Sequence, residues 1–140
     1  MIENEFCNAK IDVRERNSIM KYPWIDEFLL SMPGATKDFK EEWQWTRYLI
    51  GNKMFAAVCK DENGEDYIVT IKLEPSDGEF IRNLYEDVTP GYYMNKIHWN
   101  SINLEGELPD NLMKELFVKS YKLVLSGLSK KLQKELTGRK

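Results

Sequence analysis

The stretch PGYYMNKIHWNSINLEGELPDNL, residues 90–112, holds the single histidine of the chain, His98. An imidazole titrates near neutrality and serves as a general acid or base when a pocket and a partner hold it. On a strand, His98 would share a face with Asn100, Ile102 and Leu104, while Trp99, Ser101 and Asn103 point the other way. Ile102 and Leu104 are expected in the core. His98 and Asn100 then fall where the core-facing side runs out, near the start of the strand. That position fits a proton-transfer group, and it fits equally a histidine that hydrogen-bonds nearby backbone.

A nucleophile paired with His98 would have to be a thiolate or an activated hydroxyl. Cys59 ends the apolar run KMFAAVCK, however, and reads as a small buried hydrophobe. One histidine and two cysteines 52 positions apart, Cys7 and Cys59, make neither a zinc set nor a disulfide framework. No phosphate-binding glycine loop or nucleophile-elbow motif appears. The residues therefore predict no enzyme, no metal and no cofactor.

Aromatic rings interleaved with cations offer a different chemistry. Trp43, Trp45, Tyr48, Tyr92, Tyr93 and Trp99 lie on or beside predicted strands, with Arg47, Lys53 and Lys96 close in sequence. Such arrangements stack bases and hold phosphates. They also stabilise ordinary sheets by cross-strand packing.

The elements that must position these groups follow from periodicity and breakers. YPWIDEFLLSMPGA predicts a short helix with Pro23 at its first position and Pro33-Gly34 as its stop. WQWTRYLI (43–50), KMFAAVCK (53–60) and DYIVTIKL (66–73) predict three strands. Gly51-Asn52 and the DENG run at 61–64 turn the chain between them, which implies an antiparallel meander. Residues 74–88 predict a helix with a Ser76/Glu79 capping box and a buried face of Phe80, Ile81, Leu84 and Tyr85. Residues 97–104 predict a strand. Pro109 and Asp110 open a long helix with Leu112, Met113, Leu116, Phe117, Ser120, Tyr121 and Val124 at helical steps. Gly127 is expected to bend or end it, with a basic turn or two over 128–136.

With 140 residues, 42% of them apolar and 31% charged, the chain is long enough for one hydrophobic core. No apolar run reaches membrane-span length, and the N-terminus lacks the pattern of a signal peptide, so a cytoplasmic, membrane-free monomer is expected. The net charge of −3 is unevenly placed: residues 111–140 hold eight Lys/Arg and two Glu, whereas residues 1–110 hold twelve Lys/Arg and twenty-one Asp/Glu. A basic C-terminal segment, including Lys130 and Lys131, attracts polyanions, or it simply complements the dipole of a terminal helix.

The run GYYMNKIHWNSINLEGELPDNLMKELFVKSYKLV (91–124) closely resembles the signature region of the YjbR/MmcQ family of small bacterial proteins. Met94, Asn95, Lys96, His98, Trp99 and Asn100 match its MNKxHWN element. Gly106, Leu108, Pro109, Asp110, Ser120 and Tyr121 match its later positions. MPGATKDF (32–39) and GNKMFAAV (51–58) resemble its upstream segments, so the likeness spans about 22–126. Residues 1–21 read as an N-terminal extension and 22–140 as the domain. Where the family usually has a histidine beside Met94, this chain has Tyr93, so an arrangement with two imidazoles there does not carry over.

The resemblance implies one α+β domain, an antiparallel sheet packed with helices, similar to the bacterial frataxin homologue and to a double-wing DNA-binding domain. Only Asp26 and Glu27 stand on the first helix, too few for a frataxin-like acidic ridge, so iron delivery is not expected. The expectation is a non-catalytic DNA-binding protein. Arg47, Lys53, Lys96, Lys130 and Lys131 would contact phosphates, with Tyr92, Tyr93 and Trp99 stacking. The alternative is a protein or small-molecule site at the corner made by Asn95, Lys96, His98, Trp99 and Asn100.

Overall fold

A tight turn links β2 (Trp45–Ile50) to β3 (Lys53–Lys60). It is a two-residue connection in which Gly51 and Asn52 take φ of 58° and 65°. Two successive positive φ values match the twist of antiparallel strands, and glycine and asparagine tolerate them best. In this computed structural model, which describes residues 21–91 and 95–138, the turn belongs to a six-stranded sheet.

The order is β1-β2-β3-β4-β6-β5, every described neighbour antiparallel, with β1 Thr36–Lys40, β4 Asp66–Lys72, β5 Val88–Pro90 and β6 Trp99–Asn103. β3 and β4 are central, and their runs Phe55–Cys59 and Ile68–Ile71 are buried throughout. Between them the loop is organised by Asp61, whose carboxylate accepts from the amides of Asn63 and Glu65. Gly64 alone takes positive φ there, so the expected Asn-Gly turn is replaced by an aspartate-capped loop.

Four helices complete the described chain: α1 Ile25–Leu30, α2 Pro75–Leu84, α3 Asp110–Ser126 and α4 Lys130–Thr137. α3 crosses β3 and β4 with Met113, Leu116, Phe117, Ser120, Tyr121 and Val124 buried. That stripe is the one its periodicity predicts. Ile25 and Leu29 of α1 join the same core, beside Phe55, Val69, Ile71 and Ile102 of the sheet. A smaller cluster of Trp45, Ala57, Cys59 and Ile68 occupies the opposite sheet face.

Further local expectations are corrected, and the helix expected over 74–88 ends at Leu84, leaving Val88 in β5. α1 begins at Ile25 rather than Pro23, because a Tyr22–Ile25 turn precedes it. α2 starts with Pro75 at its first turn, and the Ser76/Glu79 box does not form. Its buried residues are Gly78 and Ile81, while Phe80 and Leu84 are 65% and 59% exposed. The reason is contact geometry: α2 presses a narrow stripe onto the sheet, so only one of its two apolar rows finds a partner. β1 carries no strand pattern in its own sequence. It is solvent-exposed along almost its whole length, and an edge strand needs only one paired side, so it shows no apolar alternation.

α3 ends at Gly127, and α4 is a capped helix rather than a loose turn. Ser129 Oγ accepts from the amide of Leu132 at 3.1 Å, and Gly138 closes the other end at φ 72°.

Candidate nucleic-acid interface

The residues around His98 are held by local hydrogen bonds before any ligand is considered. Asn95 Oδ1 accepts from the Ile97 amide at 2.8 Å, and the Asn95 carbonyl accepts from the Trp99 amide at 2.9 Å. An asparagine is well suited to this because its side chain mimics a backbone turn. Asn100 is fully buried. Its Nδ2 donates to the His98 carbonyl at 3.2 Å, and its Oδ1 accepts from Arg82 Nη1 on α2. Gly78 permits this: a Cβ there would lie 3.1 Å from Asn100 Nδ2. Asn100 thus ties α2 to the sheet.

The later signature positions are equally occupied. Ser120 Oγ donates to the Phe55 carbonyl at 2.6 Å and accepts from the Lys72 amide at 2.8 Å. The hydroxyl of Tyr121 donates to the Pro33 carbonyl. At the loop after β6, a Cβ on Gly106 would collide with the Asp87 carboxylate, which accepts from the Glu107 amide at 3.0 Å. Tyr22 donates its hydroxyl to the Leu108 carbonyl at 2.9 Å, closing the turn before α1 onto that loop. Burial raises the Tyr22 pKa, as do the nearby charges of Asp110, Asp87 and Glu107, so the phenol stays a donor.

The catalytic pairing considered above is not assembled. Cys59 pairs with Ile68, which pairs with Asn103, whereas the His98 carbonyl accepts from the Leu73 amide. Five residues of β6 therefore separate the two levels, roughly 16 Å along the strand. Burial pushes the Cys59 thiol up to about 12, with Asp66 adding to the rise against a bond to Thr70. Among the described residues, no group of three or more His, Cys, Asp or Glu could hold a metal. No helix there is long and apolar enough to cross a membrane.

The basic candidates separate into two sets. Arg47 faces Asp38 across β1 and β2, donating through Nε at 2.8 Å and Nη2 at 2.6 Å. The bond to Arg47 is the main cause holding the Asp38 carboxyl below its ordinary range. Arg47 is therefore already engaged. Lys53, Lys96, Lys130 and Lys131 make no ion pair among the described residues and are exposed.

Strand register brings Lys53 and the stretch before β6, which carries Lys96, toward one end of the sheet. Ile50 pairs with Lys53, Ala56 with Ile71, and Lys72 with Trp99, so the start of β3, the end of β4 and the start of β6 coincide. The same end meets α4, since a Cβ on Gly51 would lie 2.8 Å from Leu128 and 3.2 Å from Leu136. Lys72, beside the half-buried Trp99, joins this set. The sequence alone could not single it out, because only the β4–β6 register makes it a neighbour. Tyr92 and Tyr93 lie outside the described residues. Of the corner residues, Asn100 has no free surface, while Asn95 and Lys96 are exposed and His98 and Trp99 are half-buried.

Comparison with known proteins gives the lineage. The uncharacterized protein YjbR of Escherichia coli (strain K12) is 30% identical over 110 residues, covering 79% of this chain and 92% of that protein. The uncharacterized protein YyaQ of Bacillus subtilis (strain 168) is 36% identical over 75 residues, covering 54% of this chain and 63% of that one. Among solved structures, Deinococcus radiodurans protein DR2400, with a DUF419 domain, aligns with TM-score 0.74 at 26% identity, covering 85% and 89% of the two chains. A Pseudomonas syringae protein aligns at TM-score 0.55 and 17% identity, over 82% of this chain and 98% of its own, a likeness of fold. The YjbR family model matches residues 30–123. With the signature residues, the six-stranded α+β domain and these relatives in agreement, the chain belongs to the YjbR family.

Proposed function

We propose that this YjbR-family protein is a non-catalytic, monomeric, cytoplasmic protein that binds DNA at the end of the sheet where Lys53, Lys72, Lys96 and Trp99 meet α4. What supports the reading is the register that sets Lys53, Lys72 and the start of β6, just after Lys96, at one end of the sheet, with Leu128 and Leu136 against Gly51 at that end. Ammonium groups spaced over a surface, with an indole among them, suit the backbone and base faces of a nucleic acid. Lys130 and Lys131 of α4 extend the cationic surface. Arg47 falls outside the proposed contact because Asp38 already neutralises it. The acidic start of α2, with Glu74 and Asp77, borders the same end and favours a modest affinity.

The test is binding to a labelled DNA duplex and single strand across a salt series. Five phosphate contacts predict a slope of log K against log salt of about −4 to −5 on the duplex. Lys53→Glu combined with Lys130→Glu and Lys131→Glu should weaken binding at every sequence tried and flatten that slope. No detectable binding at low salt, where counterion release is strongest, would defeat the proposal. The alternative corner site is less favoured, because Asn100 spends both ends of its amide on Arg82 and His98.

A further inference from the structure

A groove of about 600 Å³ runs between α3 and α4 and is floored by the end of the α1 segment. Its floor is apolar: Met32, Pro33, Val118, Tyr121 and Leu125 line it. Its rim is cationic, with Lys122 from α3 and Lys130 and Lys134 from α4. No acidic side chain lines it, and none of the three lysines makes an ion pair among the described residues.

The remaining polar groups of the lining are spent inside the protein. Tyr121 donates its hydroxyl to the Pro33 carbonyl, Gln133 Nε2 donates to the Leu128 carbonyl at 2.8 Å, and Thr137 Oγ1 donates to the Gln133 carbonyl at 2.7 Å. What the groove offers a ligand is apolar surface below and ammonium groups above. A volume of this size falls in the range of small-molecule sites, which bind an apolar body and orient it with a few polar groups.

From this pairing we infer that the α3–α4 groove binds a small free carboxylate with an aliphatic body. The chain lies along Val118, Tyr121 and Leu125, and the carboxylate accepts from the lysines at the rim. Charge complementarity favours an anion, because the rim carries three ammoniums and the lining no carboxylate. The three ammoniums act as point charges that pair with carboxylate or phosphate alike, and it is the apolar floor that favours an anion carrying an aliphatic body over inorganic phosphate. Lys130 is common to the groove rim and the proposed DNA contact, whereas Lys122 and Lys134 belong to the groove alone.

The experiment is a titration of the full chain with sodium decanoate below micelle formation, followed by amide proton–nitrogen correlation spectra. Decan-1-ol and inorganic phosphate are run in parallel. The groove predicts saturable shifts confined to Met32, residues 118–126 and residues 130–137, with decanol and phosphate each at least about tenfold weaker. Lys122→Gln with Lys134→Gln, both at exposed positions, should weaken decanoate at least about tenfold while leaving the melting temperature and decanol binding unchanged. Leu125→Asn should weaken decanoate and decanol together. Decanol binding as tightly as decanoate, shifts scattered outside the groove, or no saturation would each overturn the assignment. DNA binding measured on the Lys122/Lys134 double variant separates this site from the other proposal, since it should change little.

Discussion

The hydroxyl of Ser120 reaches from the middle of α3 into the sheet and donates to the carbonyl of Phe55 at 2.6 Å. The same oxygen accepts from the amide of Lys72 at 2.8 Å, so one side chain satisfies two strands where the ladder between β3 and β4 runs out. A buried backbone group without a partner is costly, and this serine removes two such costs at once.

Ser120→Ala should therefore destabilise the fold by about 2–3 kcal/mol, more than an exposed serine would, because both strand groups lose their partner in a dry environment. Urea unfolding should show a lower midpoint with an unchanged slope. A midpoint indistinguishable from the parent would mean that water replaces the hydroxyl.

Gly106 is required for space. A Cβ at that position would occupy the Asp87 carboxylate, which holds the loop by accepting from the Glu107 amide. Gly106→Ala should cost about 1–3 kcal/mol through displacement of that carboxylate. In an Asp87→Ala background the same substitution should cost much less, and a double-mutant cycle measures the difference. Additive costs would show that the strain lies elsewhere.

Asp26 makes stability depend on acid. Burial acts to raise its carboxyl, but hydrogen bonds from Lys37 and Tyr48 and the charge of Lys37 outweigh it, leaving the pKa below the ordinary value. A depressed folded pKa gives stabilisation that is complete above the unfolded value near ~4 and lost as the pH falls through the folded value. Asp26→Asn should therefore lower stability at neutral pH by no more than ~1 kcal/mol, since the pair is about half exposed. It should also flatten the decline below about pH 4, read from melting temperatures across an acid series. An acid limb as steep as the parent's would assign the dependence to other carboxylates.

Cys59 should behave as core. With the thiol buried and its pKa pushed up to about 12, thiolate is scarce at neutral pH. In a Cys7→Ser background, labelling by a thiol reagent should be slow in native protein and fast in denaturant. Rapid native labelling would show that the cluster around Trp45 and Ile68 opens readily.

Residue types and spacing determined most of the sheet and the main core helix. Alternation and turn residues located β2, β3, β4 and β6, and the buried stripe of α3 could be read from helical steps, because each of these elements buries a pattern that its own sequence carries. The signature run likewise determined family and fold. Elements that depend on a partner behaved differently. β1 owes its existence to pairing with β2, and the contact between α2 and the sheet decided that Ile81 is buried while Phe80 and Leu84 are exposed. Only tertiary structure decided that Arg47 is neutralised by Asp38, that Asn100 is consumed by Arg82, and that Lys53, Lys72 and Lys96 share one end of the sheet. Those relations join residues distant in the chain, and register, rather than composition, sets which of them meet.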